Sequence, residues 1–217
     1  MKLKLFLSAI FTGAVLMAAD PAANLVLKQD FETGADKFVK VPANVTFSAK
    51  VLPELVEGRV AGTKAAHFGD KTPECILRGM KMPVPGNISM WVKTDAKVVG
   101  SGVYRRFIAT SYHGTGYFGF QEYSGYALLF VHAFNKKNKN VFVKLMPAGQ
   151  WNHVSINFSD KHVDVFVNGS LTSSSDLPES ISKVVGDITY GSKGYAMDSL
   201  EIYNRVLTEE EIKALAR

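Results

Sequence analysis

The chain has 217 residues, 47% of them hydrophobic, with one cysteine and a formal net charge of +5 at pH 7. This length suits one large all-β domain, with two small domains as the alternative. The small positive excess gives no reason to expect a nucleic-acid partner, because such binders concentrate Lys and Arg in a patch or stripe, and a single cysteine excludes an intrachain disulfide.

The first twenty residues have the pattern of a secretory signal. Lys2 and Lys4 precede an almost unbroken run of apolar and small residues, 5–19. A charged segment followed by a short apolar one is typical of a removed signal peptide, and the run is short for a bilayer span. We predict a signal peptide at 1–19, one mature domain at 20–217, and a secreted, periplasmic or cell-surface location. An uncleaved membrane anchor is the alternative.

The segments that follow have the pattern of β-strands. The first predicted strand covers residues 25–31, and Cys75 lies among apolar neighbours that predict a buried strand position. Apolar and polar residues alternate along 88–93 and 153–158, as half-buried antiparallel strands require, since successive side chains point to opposite faces. Residues 126–131 are apolar on both faces, which is typical of a strand in the middle of a sheet.

The end of the chain carries a turn signal and a helix signal. Asn168-Gly169 predicts a two-residue hairpin turn, because such turns need positive φ at both positions. Thr208, followed three residues later by Glu211, predicts a capping box at the start of a helix. Together these elements predict an all-β protein: an antiparallel β-sandwich of the jelly-roll type with a short C-terminal helix.

Four motifs carry a family resemblance. They are I-S-M-W-V-K at 88–93, W-N-H-V at 151–154, V-F-V-N-G at 165–169 and D-S-L-E-I-Y-N-R-V-L at 198–207. Their order and spacing resemble the laminin-G-like branch of the concanavalin A-like lectin/glucanase superfamily. The resemblance implies a jelly roll that recognises carbohydrate or glycoprotein.

The resemblance also implies a structural calcium ion, which many relatives bind through acids and carbonyls. Its candidate ligands here are Asp30, Asp70 and Asp198. Two departures weaken the match: residues 68–70 read Phe-Gly-Asp where the family has Phe-Asp-Gly, and Ser199 replaces an acid. Calcium takes about six to eight oxygen ligands, so the site requires the fold to bring these acids together. The alternative is that they are solvated turn residues.

The middle of the chain supplies the candidate ligand surface. Strand alternation places Tyr117, Gln121 and Tyr123 on one face and directs Phe118 and Phe120 into the core. Aromatic platforms with a few polar groups are what a saccharide site needs. The alternative is that these tyrosines only cover a sheet. The candidate ligand-binding residues are Arg105, Tyr112, His113, Tyr117, Gln121 and Tyr123.

Motifs for catalysis are missing from the sequence. The glycine pattern at 114–119 lacks the following helix that a nucleotide site needs. The E-x-D-x-x-E strand of sandwich glucanases does not occur, and Asp198 and Glu201, three apart on a strand, are expected on opposite faces. We therefore predict a non-catalytic module that binds a polysaccharide or glycoprotein. The alternatives are a structural or adhesive surface protein with protein partners, and a divergent carbohydrate-active enzyme.

Overall fold

The computed structural model describes residues 21–70, 74–95, 105–110, 116–123, 126–133, 137–143, 146–183 and 186–217. The strands and helix within these residues are β1 (Leu25–Gln29), β2 (Thr46–Ser48), β3 (Glu54–Glu57), β4 (Lys64–Phe68), β5 (Cys75–Arg78), β6 (Gly86–Thr94), β7 (Arg105–Thr110), β8 (Gly116–Tyr123), β9 (Tyr126–Ala133), β10 (Lys137–Val143), β11 (Asn152–Phe158), β12 (His162–Val167), β13 (Ser170–Asp176), β14 (Ile188–Tyr190), β15 (Tyr195–Tyr203) and α1 (Glu209–Leu215). Short 3-10 helices lie at Pro21–Asn24 and Ile181–Lys183.

The predicted signal peptide at 1–19 lies outside the described residues. Among the described helices, none has the length and apolar character needed to cross a membrane.

The strands form two antiparallel sheets that pack face to face. The eight-stranded sheet has the order β13-β12-β11-β6-β15-β4-β3, with β1 also paired to β15, and the seven-stranded sheet has the order β10-β9-β8-β7-β14-β5-β2. Aromatic rings meet between the sheets. Phe118 of β8 lies edge-on to Phe158 of β11 at 5.6 Å, and Phe107 of β7 lies edge-on to Tyr195 of β15 at 4.8 Å. The predicted sandwich with a short C-terminal helix is confirmed.

Several local predictions are also confirmed. Phe118 and Phe120 are fully buried in the core. β9 pairs with β10 on one side and β8 on the other, so it lies inside its sheet as expected. Asn168 and Gly169 have φ of 50° and 76° and connect β12 to β13, which matches the predicted hairpin turn.

Strand β15, near the end of the chain, lies at the centre of the eight-stranded sheet. One of its edges pairs with β6 along most of the strand. Its other edge pairs first with β4, through residues 195–197, and then with β1, through residues 200–203. The first and last strands of the sheet are therefore neighbours.

Helix α1 packs on the outer face of the eight-stranded sheet. Thr208 and Glu211 form the predicted capping box. Ile212 packs with Leu207 and Tyr203 in a small apolar cluster. The hairpin turn passes close beneath the helix: a Cβ added to Gly169 would lie 3.3 Å from a backbone Cα of the last helical turn, so only glycine allows this approach.

Asn157 of β11 ties the segment before the helix to the sheet. Its amide nitrogen donates to the carbonyl of Leu207 at 2.8 Å, and its side-chain oxygen accepts from the Leu207 amide at 3.1 Å and from Asn87 at 2.8 Å. All three bonds are buried. Asn157 thus adds three buried hydrogen bonds that hold the segment before the helix on the sheet.

Replacing Asn157 with alanine is expected to lower the free energy of unfolding by about 2 kcal/mol, because buried backbone groups lose their partners. Urea denaturation measures this change. The matched control is Asn204→Ala, which truncates an exposed asparagine of the same segment and should change stability little. Equal effects of the two substitutions would contradict the role of Asn157.

Cys75 is a fully buried residue of β5, as predicted. Burial raises the pKa of its thiol to about 12, although a hydrogen bond with Tyr190 opposes part of this rise. The thiol is therefore protonated at neutral pH and inert.

Candidate functional site

The structure places two of the predicted ligand residues inside the protein. Arg105 of β7 is 0% exposed and forms an ion pair with Glu122, the residue opposite it on β8. Gln121 is 6% exposed. The guanidinium of Arg105 thus has a partner within the chain, and its contribution to ligand binding stays a prediction.

The other four predicted ligand residues have side chains outside the described part of the structure. Tyr112 and His113 are outside the described residues, as are the side chains of Tyr117 and Tyr123, whose backbone forms part of β8. The ligand surface predicted on this strand therefore stays a prediction.

The three acids proposed as calcium ligands do not come together. Asp70 is an exposed turn residue, while Asp30 accepts a hydrogen bond from the amide of Glu32 at 3.2 Å. Asp198 lies in β15. Among the described residues, no group of three or more His, Cys, Asp or Glu side chains is placed to hold a metal ion. The assignment of these three acids as calcium ligands, and calcium binding itself, therefore stay predictions.

A pocket opens instead on the outer face of the eight-stranded sheet, beside the end of α1. Its cavity volume is about 240 Å³. The end of the chain, including Leu215 and Arg217, closes one side. The remaining wall contains Arg59, Ser89, Trp91, His153, Ser199 and Glu201.

Strand pairing explains why these side chains meet. The outward positions of β6 include Ser89 and Trp91, because Met90 and Val92 point into the core. His153 of β11 lies opposite Trp91, and Glu201 of β15 lies opposite Ser89. Three adjacent strands thus present a polar patch on the face that the alternation predicts to be outside.

The relation between the two acids of β15 differs from the sequence expectation. Asp198 lies opposite Trp91 and Glu201 lies opposite Ser89, with a register shift between them. Ser199 sits in this bulge with a φ of 53°. Because an extra residue in a bulge reverses the alternation, both acids project from the same face. The prediction of opposite faces is wrong.

His153 is the most unusual polar group of the pocket. Its Nε2 lies 2.7 Å from the Ser89 hydroxyl, and its ring centre lies 5.2 Å from that of Trp91. The side chain belongs to a residue only 1% exposed, and Nδ1 has no hydrogen-bond partner within the described part of the chain. Burial, and secondarily the charge of Arg59, lowers the pKa of His153 to about 4. The pocket lining therefore contains a neutral imidazole whose Nδ1 has no hydrogen-bond partner among the described residues.

The Ser89–His153 contact does not have the features of a nucleophile and its base. The low pKa of His153 makes it a weak base at neutral pH. Its second nitrogen also lacks the carboxylate that orients such a histidine in a catalytic triad, as far as the described residues go.

Arg59 lies over the ring of Trp91. Its guanidinium carbon lies 4.3 Å from the centre of the indole ring, a cation–π contact. Its backbone amide donates to the carboxylate of Asp198 at 3.0 Å. Burial raises the pKa of Asp198, and the bonds from Arg59 and Ser199 oppose this rise. The turn and the stack together fix the arginine at the mouth of the pocket.

The sequence contains an indication of this pocket that we did not use in predicting the site. Trp91 and His153 both occupy positions on the outer face of predicted strands, where solvated side chains are the norm. Two large ring residues at such positions indicate a covered or functional surface. Arg59 had no comparable signal, because it lies in a turn between β3 and β4.

Solved structures with the same fold include domains from larger proteins. Domain 4 of AbnA, a GH43 extracellular arabinanase from Geobacillus stearothermophilus, solved in complex with arabinotriose, is 17% identical with a TM-score of 0.71, covering 89% of this chain and 100% of that one. The binding domain of Paraclostridial Mosquitocidal Protein 1 is 18% identical with a TM-score of 0.70, covering 91% and 52%. The binding domain of botulinum neurotoxin DC, in complex with rat synaptotagmin II, is 12% identical with a TM-score of 0.73, covering 91% and 52%.

These identities are low, so the likeness shows the fold. The chain spans about half the length of the mosquitocidal and neurotoxin binding domains. A comparison with curated proteins gave no match. The family model Laminin_G_3, described as the concanavalin A-like lectin/glucanases superfamily, matches residues 86–213, more than half of the sequence and most of the strands that build the pocket. The chain belongs to the concanavalin A-like lectin/glucanases superfamily.

Proposed function

We propose that this protein is an exported, non-catalytic carbohydrate-binding domain, and that the pocket between Trp91 and His153 holds part of its ligand. The observation that carries this proposal is a polar pocket lined by Trp91 and His153, where Nδ1 of His153 is buried without a hydrogen-bond partner from the described part of the chain. A buried polar atom without a partner costs roughly 1–3 kcal/mol. A ligand that hydrogen-bonds to this atom removes that cost.

The chemistry of the pocket supports a sugar. Depending on the tautomer of His153, Nδ1 donates or accepts a hydrogen bond, and a sugar hydroxyl satisfies either form because it does both. The cavity of about 240 Å³ is below the roughly 300–1,000 Å³ of pockets for drug-sized ligands. It suits one sugar unit of a longer chain. The arabinotriose complex of the related arabinanase domain supports the same class of ligand.

Glycan-array binding of the purified protein tests this proposal, and paired variants separate the two candidate surfaces. Trp91→Ala is expected to weaken saccharide binding about tenfold or more, because it removes the ring that positions Arg59 and His153. The double variant Tyr117→Ala with Tyr123→Ala, on the surface predicted from the sequence, is expected to retain binding. Thermal unfolding of each variant checks that the fold survives.

The opposite pattern would contradict the site assignment: full binding by Trp91→Ala and none by the tyrosine double variant. A chelator included in the same array tests the calcium prediction. Loss of binding in chelator supports a calcium site, and unchanged binding contradicts a required metal.

A divergent glycoside hydrolase is the second candidate function, favoured by the bulge that brings Asp198 and Glu201 to one face. Against it, Glu201 is bound by Lys28 at 2.9 Å and by the hydroxyl of Tyr203. Asp198 accepts two further bonds from its own surroundings. Release of reducing ends from a bound polysaccharide, abolished by Glu201→Gln, would replace the binding proposal with this one.

A further inference from the structure

We infer that the carbohydrate bound at this pocket carries an anionic group, a uronate carboxylate or a sulfate ester, and that Arg59 binds this group. The inference rests on the proposed function and adds the class of sugar. It follows from the distribution of paired and unpaired charges on the outer face of the eight-stranded sheet.

Arg59 is a cation whose side chain and backbone are both held in place by neighbouring residues. Its guanidinium stacks on Trp91 at 4.3 Å and its amide is fixed by Asp198. Within the described part of the chain its side chain forms no ion pair. A guanidinium presents its donors as a planar fork that matches a carboxylate or sulfate. Because the stack already restricts the side chain, binding an anion costs less conformational entropy than it does for a free arginine.

The acids of the same face are already occupied by groups of the protein. Glu201 pairs with Lys28, and Asp95 pairs with Nε2 of His67 at 3.1 Å. Asp198 accepts a hydrogen bond from a backbone amide and one from a hydroxyl. None of these carboxylates is an ion-pair partner of Arg59 among the described residues. These carboxylates are thus paired or hydrogen-bonded within the protein, whereas the guanidinium of Arg59, although it interacts with the charge of Asp198, forms no ion pair within the described residues.

A second cation extends this surface along β6. Lys93 lies two residues from Trp91 and therefore on the same face of the strand. Its Nζ lies 4.9 Å from the ring centre of Trp151. A polysaccharide with an acidic group on successive units would meet positive charge both in the pocket and along the strand.

Matched pairs of polysaccharides that differ only in charge test the inference. Polygalacturonate is compared with the same chain after methyl esterification, and dextran sulfate with dextran, at low and high NaCl. We expect the purified protein to bind at least one charged polymer about tenfold or more tightly than its neutral counterpart. That preference should fall as NaCl rises. The two pairs separate carboxylate from sulfate recognition.

Charge variants then place the contact. Arg59→Gln should reduce binding of the charged polymer about tenfold, so that the ratio of charged-polymer binding to neutral-polymer binding falls towards one. The matched control is Arg78→Gln, which removes the same charge from the exposed end of β5 in the other sheet and should have no effect.

Three results would overturn the inference. Equal binding of charged and neutral polymers, unaffected by Arg59→Gln, refutes it while the proposed carbohydrate function stands. Equal losses in the Arg59 and Arg78 variants indicate unspecific attraction by net charge. The absence of binding to any charged or neutral glycan refutes the proposed function together with the inference.

Discussion

Arg105→Ala is expected to lower the free energy of unfolding by about 3–5 kcal/mol, because it leaves Glu122 buried without its cation. Both members of this ion pair are almost fully buried, at 0% and 4% exposure. They lie opposite each other on β7 and β8, so the loss affects the centre of the seven-stranded sheet. Urea denaturation followed by fluorescence measures the change.

A double variant separates the broken pair from the lost packing. Arg105→Met combined with Glu122→Leu removes both charges and keeps apolar volume, and such replacements are often neutral. We expect it to recover most of the stability lost in Arg105→Ala. If Arg105→Ala instead left stability unchanged and reduced only ligand binding, the residue would have the ligand role predicted from the sequence.

Acidification from pH 6.5 to pH 4 is expected to remove about 3 kcal/mol of stability through His153 alone. The folded protein holds the pKa of this side chain at about 4, against 6.5 for an unperturbed histidine, and each pKa unit corresponds to about 1.4 kcal/mol. Between these two values the unfolded chain binds the proton and the folded protein does not, so stability falls as the pH falls. Above pH 6.5 the contribution is fully present.

The measurement is the free energy of unfolding across this pH range for the natural protein and for His153→Gln, which does not titrate. The difference between the two curves isolates the histidine from the carboxylates that also titrate in acid. A constant difference from pH 7 to pH 4 would contradict a buried neutral imidazole.

Much of the fold could be predicted because local signals and tertiary packing agree. The alternation at Ile88, Met90 and Val92 identified the face of a strand that points into the core. Asn168-Gly169 identified a turn whose positive φ angles only a few residue types adopt readily. The capping box at Thr208 gave the start of the helix. Each of these signals depends on residues a few positions apart.

The site was harder to predict because it depends on contacts between distant segments. Arg59 reaches Trp91 only because β3 and β4 lie beside β15, and no local pattern encodes that neighbourhood. The bulge at Ser199 is a single positive φ in a strand that otherwise reads as regular, and it reversed the expected faces of Asp198 and Glu201. Arg105 looked like a surface cation because its partner Glu122 is seventeen residues away.

The central position of β15 also sets the order in which the molecule can form. This strand lies between β6 on one edge and β4 and β1 on the other, yet it follows the other described strands of its sheet in chain order. Strands β1, β4 and β6 form one continuous sheet only after β15 has paired with them. Pairing between strands so far apart in the sequence is slow. The residues up to Tyr203 must therefore have left the ribosome before the native eight-stranded sheet can close.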